Sequence, residues 1–279
     1  MAVSFTETAR PSGKPTRVVL VIAGSDSSGG AGIQADIKAA AAFGVHAATA
    51  ITAVTAQSSA AVEAVFTLEP EQVRAQIQAV TRSLRVDAIK LGMLANAGII
   101  RTVAEELQQM STQHIVMDPV LYATSGGSLF SGDARELLLE TLLPRVSLLT
   151  PNLDEAATLL GCEPAGDHAA MEQQAQALLE LGPQAVLLKG GHFASELAVD
   201  YLATREGIQT FACPRLDDRH THGSGCTLAT GIAAGLAQGL SLKQAVAAAK
   251  THIQGAIATA ERLGLVQDNG PVHALYPFW

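Results

Sequence analysis

VVLVIAGSDSSGGAGIQADIKAAAAFG, residues Val18 to Gly44, is the stretch on which the fold turns. Val18 to Ala23 form an unbroken apolar run rich in β-branched residues, the pattern of a strand covered on both faces. Gly24 to Gly32 supply a Gly/Ser loop, and Ile33 to Phe43 read as a helix stopped by Gly44. A buried strand, a glycine-rich turn and a helix, in that order, open an α/β unit.

The same alternation continues outward from this segment. Strands are predicted near Val45–Val54, Ala88–Leu91, His114–Asp118, Ser147–Leu149 and Ala185–Lys189. Helices are predicted between them near Glu71–Ser83, Ala97–Gln109, Asp133–Leu142, Asn152–Leu160 and Met171–Leu181. Ala198–Ala203 and Gly207–Cys213 read as a hairpin, followed by helices near Cys226–Gln238 and Leu242–Leu263. The expected fold class is α/β, a mostly parallel central sheet with helices on both faces. Residues 1–16 carry Arg10, Pro11, Gly13 and Pro15 without an apolar period and read as a disordered leader. No linker, repeat or charge block divides residues 17–279, which are expected to form one domain.

Composition narrows the function. The 279 residues are 48% hydrophobic and 16% charged, enough apolar matter for a sizeable core. A formal net charge of −8, with no basic run, argues against nucleic acid as a partner. The apolar run Val18 to Ala23 is far too short for a membrane span, so no membrane partner is expected. Cys162, Cys213 and Cys226 are widely spaced, which fits a reducing cytoplasm better than a disulfide framework.

In open α/β sheets ligands bind beyond the carboxyl ends of the strands. The loops of interest therefore follow Ala23, Val54, Leu91, Asp118, Leu149 and Lys189, with one more before Cys226. Gly30-Ala-Gly32-Ile-Gln-Ala35 matches the dinucleotide pattern formally, but Ala53 to Gln57 offer no acidic ribose partner and no Lys follows the glycines. An ordinary β–α turn has the same appearance. Thr221-His-Gly-Ser-Gly-Cys-Thr227 precedes an apolar helix, so Gly223, Ser224 and Gly225 are candidates to turn consecutive amides toward an anion. At that electropositive end Cys226 is expected to have a lowered thiol pKa and to serve as a base; its bland reading is a small buried hydrophobe. Asp118 and Glu155 are hard oxygen ligands of the kind magnesium takes, although Glu155 also stands three residues after Asn152, as a capping box requires. Lys189, before two glycines, either reaches phosphates or snorkels out of the sheet. His192 and His222 are metal ligands or, on base expectations, hydrogen-bonded structural histidines.

Taken together these loops resemble, in order and spacing, the hydroxymethylpyrimidine/phosphomethylpyrimidine kinases of the ribokinase superfamily. The stretches are IAGSDSSGGAGIQADIK (Ile22–Lys38), ITAVTAQ (Ile51–Gln57), IKLGML (Ile89–Leu94), VMDPV (Val116–Val120), TPNLDEA (Thr150–Ala156), LLKGGH (Leu187–His192) and THGSGCTL (Thr221–Leu228). The resemblance implies a ribokinase-like fold and an ATP- and Mg2+-dependent kinase of thiamine biosynthesis, cytoplasmic and homodimeric. It assigns Gly24, Asp36, Gln57, Met93 and Val120 to the pyrimidine pocket. Asn152 and Lys189 fall to the nucleotide side, Asp118 and Glu155 to the metal, Gly223, Ser224 and Gly225 to the anion hole, and Cys226 to the base. A sister group acts on pyridoxal and carries a second Cys where this chain has Ala123, which favours the pyrimidine. The chain departs from the pyrimidine kinases at Ala123-Thr-Ser-Gly126, where they read AKSG, and at Tyr122. The other readings are a pyridoxal kinase and a non-catalytic sensor of the same fold.

Overall fold

The structure is a computed structural model that describes residues 15–58, 61–121, 132–191, 196–216, 219–266 and 269–279. Residues 1–14 of the expected leader, Tyr122 to Gly126 and His192 lie outside the described residues.

Among the described residues nine strands form one sheet in the order β3-β2-β1-β4-β5-β6-β7-β8-β9. These are β1 (Val18–Asp26), β2 (His46–Gln57), β3 (Val62–Thr67), β4 (Ala88–Leu91), β5 (Ile115–Met117), β6 (Leu148–Leu149), β7 (Ala185–Leu188), β8 (Leu197–Thr204) and β9 (Gly207–Pro214). Neighbours from β2 through β1, β4, β5 and β6 to β7 run parallel, while β3, β8 and β9 pair antiparallel at the edges. The sheet is thus the mostly parallel one expected.

The period-2 geometry of a strand explains the apolar run at its centre. Val18, Leu20 and Ile22 enter one core with α2 (Pro70–Ser83), α3 (Ala97–Gln108), α4 (Gly132–Leu137), α5 (Leu153–Leu160) and α6 (His168–Leu179). Val19, Val21 and Ala23 enter the other, with α1 (Gly32–Ala42), α7 (Ser224–Ala237) and α8 (Leu242–Ala258). Among the described residues no helix is long and apolar enough to cross a membrane.

Four elements differ from the sequence reading. β1 continues through Gly24 to Asp26, because Ser25 and Asp26 pair with Val54 and Thr55 across a register shift. β3 was not expected, since its alternating residues are mostly exposed and pair only with β2. The last long helix stops at Ala258, and Ala260–Leu263 form a separate 3-10 turn capped by the left-handed Gly264. The segment expected as one helix to Leu142 is α4 followed by a π-helical turn, Leu138–Leu142.

Candidate active site

The carboxyl ends of the parallel strands gather the expected loops on one side of the sheet. Gly24, Gln57, Met93, Val120 and Cys226 line a common cleft. Gly24 leaves room for Met93, whose methyl would lie 2.6 Å from an added Cβ. Gln57 touches Thr55 Oγ1 through Oε1 at 3.1 Å and comes within 3.4 Å of His222 Nε2. Among the described residues, in either orientation of its amide, Gln57 keeps one N–H and one carbonyl lone pair unspent.

Asp26 organises the near wall. Its carboxylate accepts from the amides of Ser28 at 2.8 Å, Gly30 at 3.1 Å and Ala31 at 2.8 Å, and from the Ser28 hydroxyl. His222 Nε2 lies 2.8 Å from Asp26 Oδ2. Burial alone would raise the Asp26 carboxyl, but hydrogen bonds from His222, Ser28 and Ala31 outweigh it and hold the pKa at about 2. An ionised carboxylate only accepts, so His222 Nε2 carries the proton and donates to Asp26. The structural reading of this histidine is therefore the one observed, and it joins the first loop to the turn before α7.

A carboxyl held below its ordinary 3.8 stabilises the fold above that pH, and the contribution is lost as pH falls toward about 2. Asp26→Asn is expected to lose about 2 kcal/mol at neutral pH, because several buried donors lose a charged acceptor. It should also flatten the pH dependence of stability below the ordinary carboxylate value. Thermal melts of both proteins from neutral to strongly acidic pH check this, and parallel acid limbs would refute it.

Beyond the cleft lies a cluster of acids around one ammonium. Asp118 follows β5, Asn152 caps α5 after β6, and Lys189 follows β7. Lys189 Nζ donates to Asp118 Oδ1 at 2.8 Å and lies 3.9 Å from Glu155 Oε2. Burial works against the ammonium, but Asp118 and Glu155 more than offset it and hold Lys189 above the ordinary lysine pKa. Glu155 is pushed up to about 7, chiefly by burial and further by the Asp118 charge, with Lys189 opposing. The capping box is also real: Asn152 Oδ1 accepts from the Glu155 amide at 2.8 Å, and Glu155 Oε2 from the Asn152 amide at 2.7 Å. Capping and a second role at the cluster are compatible, because Glu155 Oε1 is not used by the cap. The Gly190 amide donates to buried Asp200 Oδ1 at 3.0 Å, and Asp200 in turn pairs with Lys250, which fixes the backbone beside Lys189.

The turn before α7 joins the two halves. Gly223 caps α7 in the left-handed region, φ +78°, and packs against the carbonyl of Gly30 in the first loop. The Ser224 amide is spent on Thr221 O at 3.0 Å. Among the described residues the Gly225 and Cys226 amides have no acceptor, as befits the first turn of a helix. A Cβ added to Gly225 would sit 3.2 Å from both Asp118 Oδ2 and Lys189 Nζ, so these unspent amides border the acid–lysine cluster.

Two expectations need correction. Asp36 is not among the described residues that line the cleft: it is buried on α1, bound by Lys90 Nζ at 3.0 Å and by Thr230 Oγ1 at 2.6 Å. Lys90 stands in the cleft wall in its place. The Cys226 thiol is pushed up to about 11, not lowered. Burial is the largest cause, and the charges of Asp36 and Asp118 add to it; Lys90 and the Gly32 amide only partly compensate. Helix-terminal partial charge loses here to desolvation.

Sequence reasoning missed Lys90 and Asp26. A lysine inside the fully buried strand Ala88–Leu91 was the available signal for Lys90. Nothing in the Gly/Ser loop distinguished Asp26 from a solvated turn residue.

A family model described as phosphomethylpyrimidine kinase matches residues 26–273. The hydroxymethylpyrimidine/phosphomethylpyrimidine kinase of Rhizobium meliloti is 45% identical over 264 residues, covering 95% of this chain and 99% of its own. The crystal structure of a phosphomethylpyrimidine kinase from Clostridium difficile superposes with a TM-score of 0.77 at 37% identity, covering 87% of this chain and 100% of that one. An ADP complex of Bacillus subtilis pyridoxal kinase gives 0.81 at 36% identity, covering 87% and 92%.

Proposed function

The chain belongs to the phosphomethylpyrimidine kinase family, and on that premise we propose how its residues carry the γ-phosphoryl group of ATP to the acceptor. It is a kinase of thiamine biosynthesis that phosphorylates 4-amino-5-hydroxymethyl-2-methylpyrimidine and then the resulting monophosphate. One observation carries the residue assignment. The Gly223–Cys226 turn stands between the cleft holding Gln57 and the Asp118–Lys189 pair, with two amides unspent.

The unspent N–H and carbonyl of Gln57 match the ring nitrogen and exocyclic amino group of an aminopyrimidine. Gly24, Met93 and Val120 provide the apolar walls that hold the ring flat. Lys189 and the Asn152 end of α5 face the nucleotide phosphates, and the amides of Gly225 and Cys226 bind charge developing on the transferring group. In its thiolate form Cys226 accepts the hydroxyl proton as the new bond forms.

Asp118 and Glu155 fit a divalent cation. They converge on one ammonium, and Glu155 rises to about 7 in part because a second carboxylate stands beside it. Magnesium needs only one or two protein carboxylates and completes its shell with phosphate and water. When bound there it would neutralise phosphate charge; Asp118, Glu155 and Lys189 are the groups that set the site for it. The same reading places the enzyme in the cytoplasm as a homodimer.

ADP release with each acceptor tests the proposal. Hydroxymethylpyrimidine and its monophosphate are expected to support turnover in the presence of Mg2+, and pyridoxal to support much less. Turnover on pyridoxal alone would move the assignment to the sister group, and no ADP release with any acceptor would indicate a sensor.

A further inference from the structure

We propose that Lys90 binds the phosphate of the monophosphate acceptor and so selects for the second of the two transfers. The inference deepens the two-step kinase reading and rests on it. Three features of the cleft carry it.

First, Lys90 is the one Lys or Arg among the described residues lining the cleft. A phosphomonoester brings a charge of about −1.5 to −2 into that space, and the hydroxymethyl substrate brings none. Anion binding away from water needs a cation or several amides within reach.

Second, the ammonium is under-used. It is 0% exposed to bulk solvent and has three N–H donors, yet Asp36 Oδ2 at 3.0 Å is its sole hydrogen-bond acceptor among the described residues. Two donors are left at a wall of the ligand cleft. A buried polar group left this way marks a place where a ligand atom completes the shell.

Third, the pair is held in place from three elements. Lys90 lies on β4 and Asp36 on α1, while Thr230 on α7 donates to Asp36 Oδ1 at 2.6 Å. Stability does not account for it, because an apolar pair of similar volume serves a core as well as a buried ion pair. Asp36 then acts as a positioning residue: it keeps the Lys90 side chain at the cleft wall but touches no ligand.

The test is calorimetric binding of hydroxymethylpyrimidine and of its monophosphate, without ATP, to wild type, Lys90→Met and the pair Lys90→Met with Asp36→Asn. The pair leaves no lone buried charge, so it keeps the test open if the single variant fails to fold, which thermal melting reports. The ratio of the two Kd values is expected to shift against the monophosphate by about 10–100-fold, whatever loss the two ligands share. A ratio within about threefold of wild type overturns the inference, because a purely structural Lys90 would weaken both ligands alike. A wild type that binds both pyrimidines while the ratio stays fixed overturns the inference alone. A wild type that binds neither pyrimidine overturns the two-step reading as well.

Discussion

Cys226→Ala is expected to slow phosphorylation of the hydroxymethyl group by about 10²–10⁴-fold, and phosphorylation of the monophosphate much less. The difference follows from the two acceptors. A hydroxymethyl oxygen must shed a proton as it attacks phosphorus, and a positioned base supplies that step. A phosphomonoester with a second pKa near 6 is already largely ionised at neutral pH, so its oxygen attacks without a base. The amides of Gly225 and Cys226 survive the substitution, since Ala keeps its backbone N–H, and they continue to serve both transfers.

The raised thiol pKa adds a sign to this expectation. A base works only when deprotonated, and a thiol pushed up to about 11 is protonated at neutral pH. The competent fraction therefore rises by roughly tenfold per pH unit toward that value. Wild-type kcat/KM for the hydroxymethyl acceptor should keep climbing with pH well above neutral, and the Cys226→Ala profile should level off once Glu155 is ionised. Equal losses on both acceptors, or the same pH slope in the variant, would remove Cys226 from the base role. A variant at near wild-type rate would do so outright.

The parts of the fold legible in the sequence were those where burial imposes a pattern. The central strands are covered on both faces, and Val18 to Ala23 therefore had to be continuously apolar. Turn chemistry marked the helix ends, as at Asn152 with Glu155 and at Gly44. β3 escaped because an exposed edge strand needs no apolar alternation, and Val62–Thr67 carries little. The end of α8 escaped because Thr259 to Leu263 contain neither Gly nor Pro to announce it.

Pairings across long separations were the illegible part of the site. Asp36 meets Lys90 54 residues away and Thr230 194 residues away, so the sequence could not show that Lys90 would stand between Asp36 and the cleft. The Cys226 pKa failed for a related reason. The helix terminus beside the thiol is local and readable, whereas the burial that outweighs it, and the Asp36, Lys90 and Asp118 charges around the sulfur, come from distant parts of the chain.

The two glycines of the turn before α7 should separate stability from catalysis. Gly223→Ala asks a residue with a Cβ to adopt φ +78° and places that Cβ 1.9 Å from the Gly30 carbonyl oxygen. Neither strain can be relieved by a side-chain rotation, because both lie in backbone. The expected loss is about 3 kcal/mol of stability, with Tm lower by about 5–10 °C. Both transfers should fall by at least about 100-fold, because the first loop and the amide turn are displaced together. Gly225 is different: it lies within the first turn of α7, where its φ is not left-handed and helix propensity by itself favours Ala. Its added Cβ meets Asp118 Oδ2 and Lys189 Nζ at 3.2 Å, and the end of a lysine can move aside. Gly225→Ala should therefore melt at or slightly above the wild-type temperature while losing about 10–100-fold in kcat, with KM for ATP raised as Lys189 shifts. Melting curves and ATP-dependent kinetics on the two variants decide the matter. If Gly225→Ala keeps full activity, the amide turn does not border the reacting phosphate.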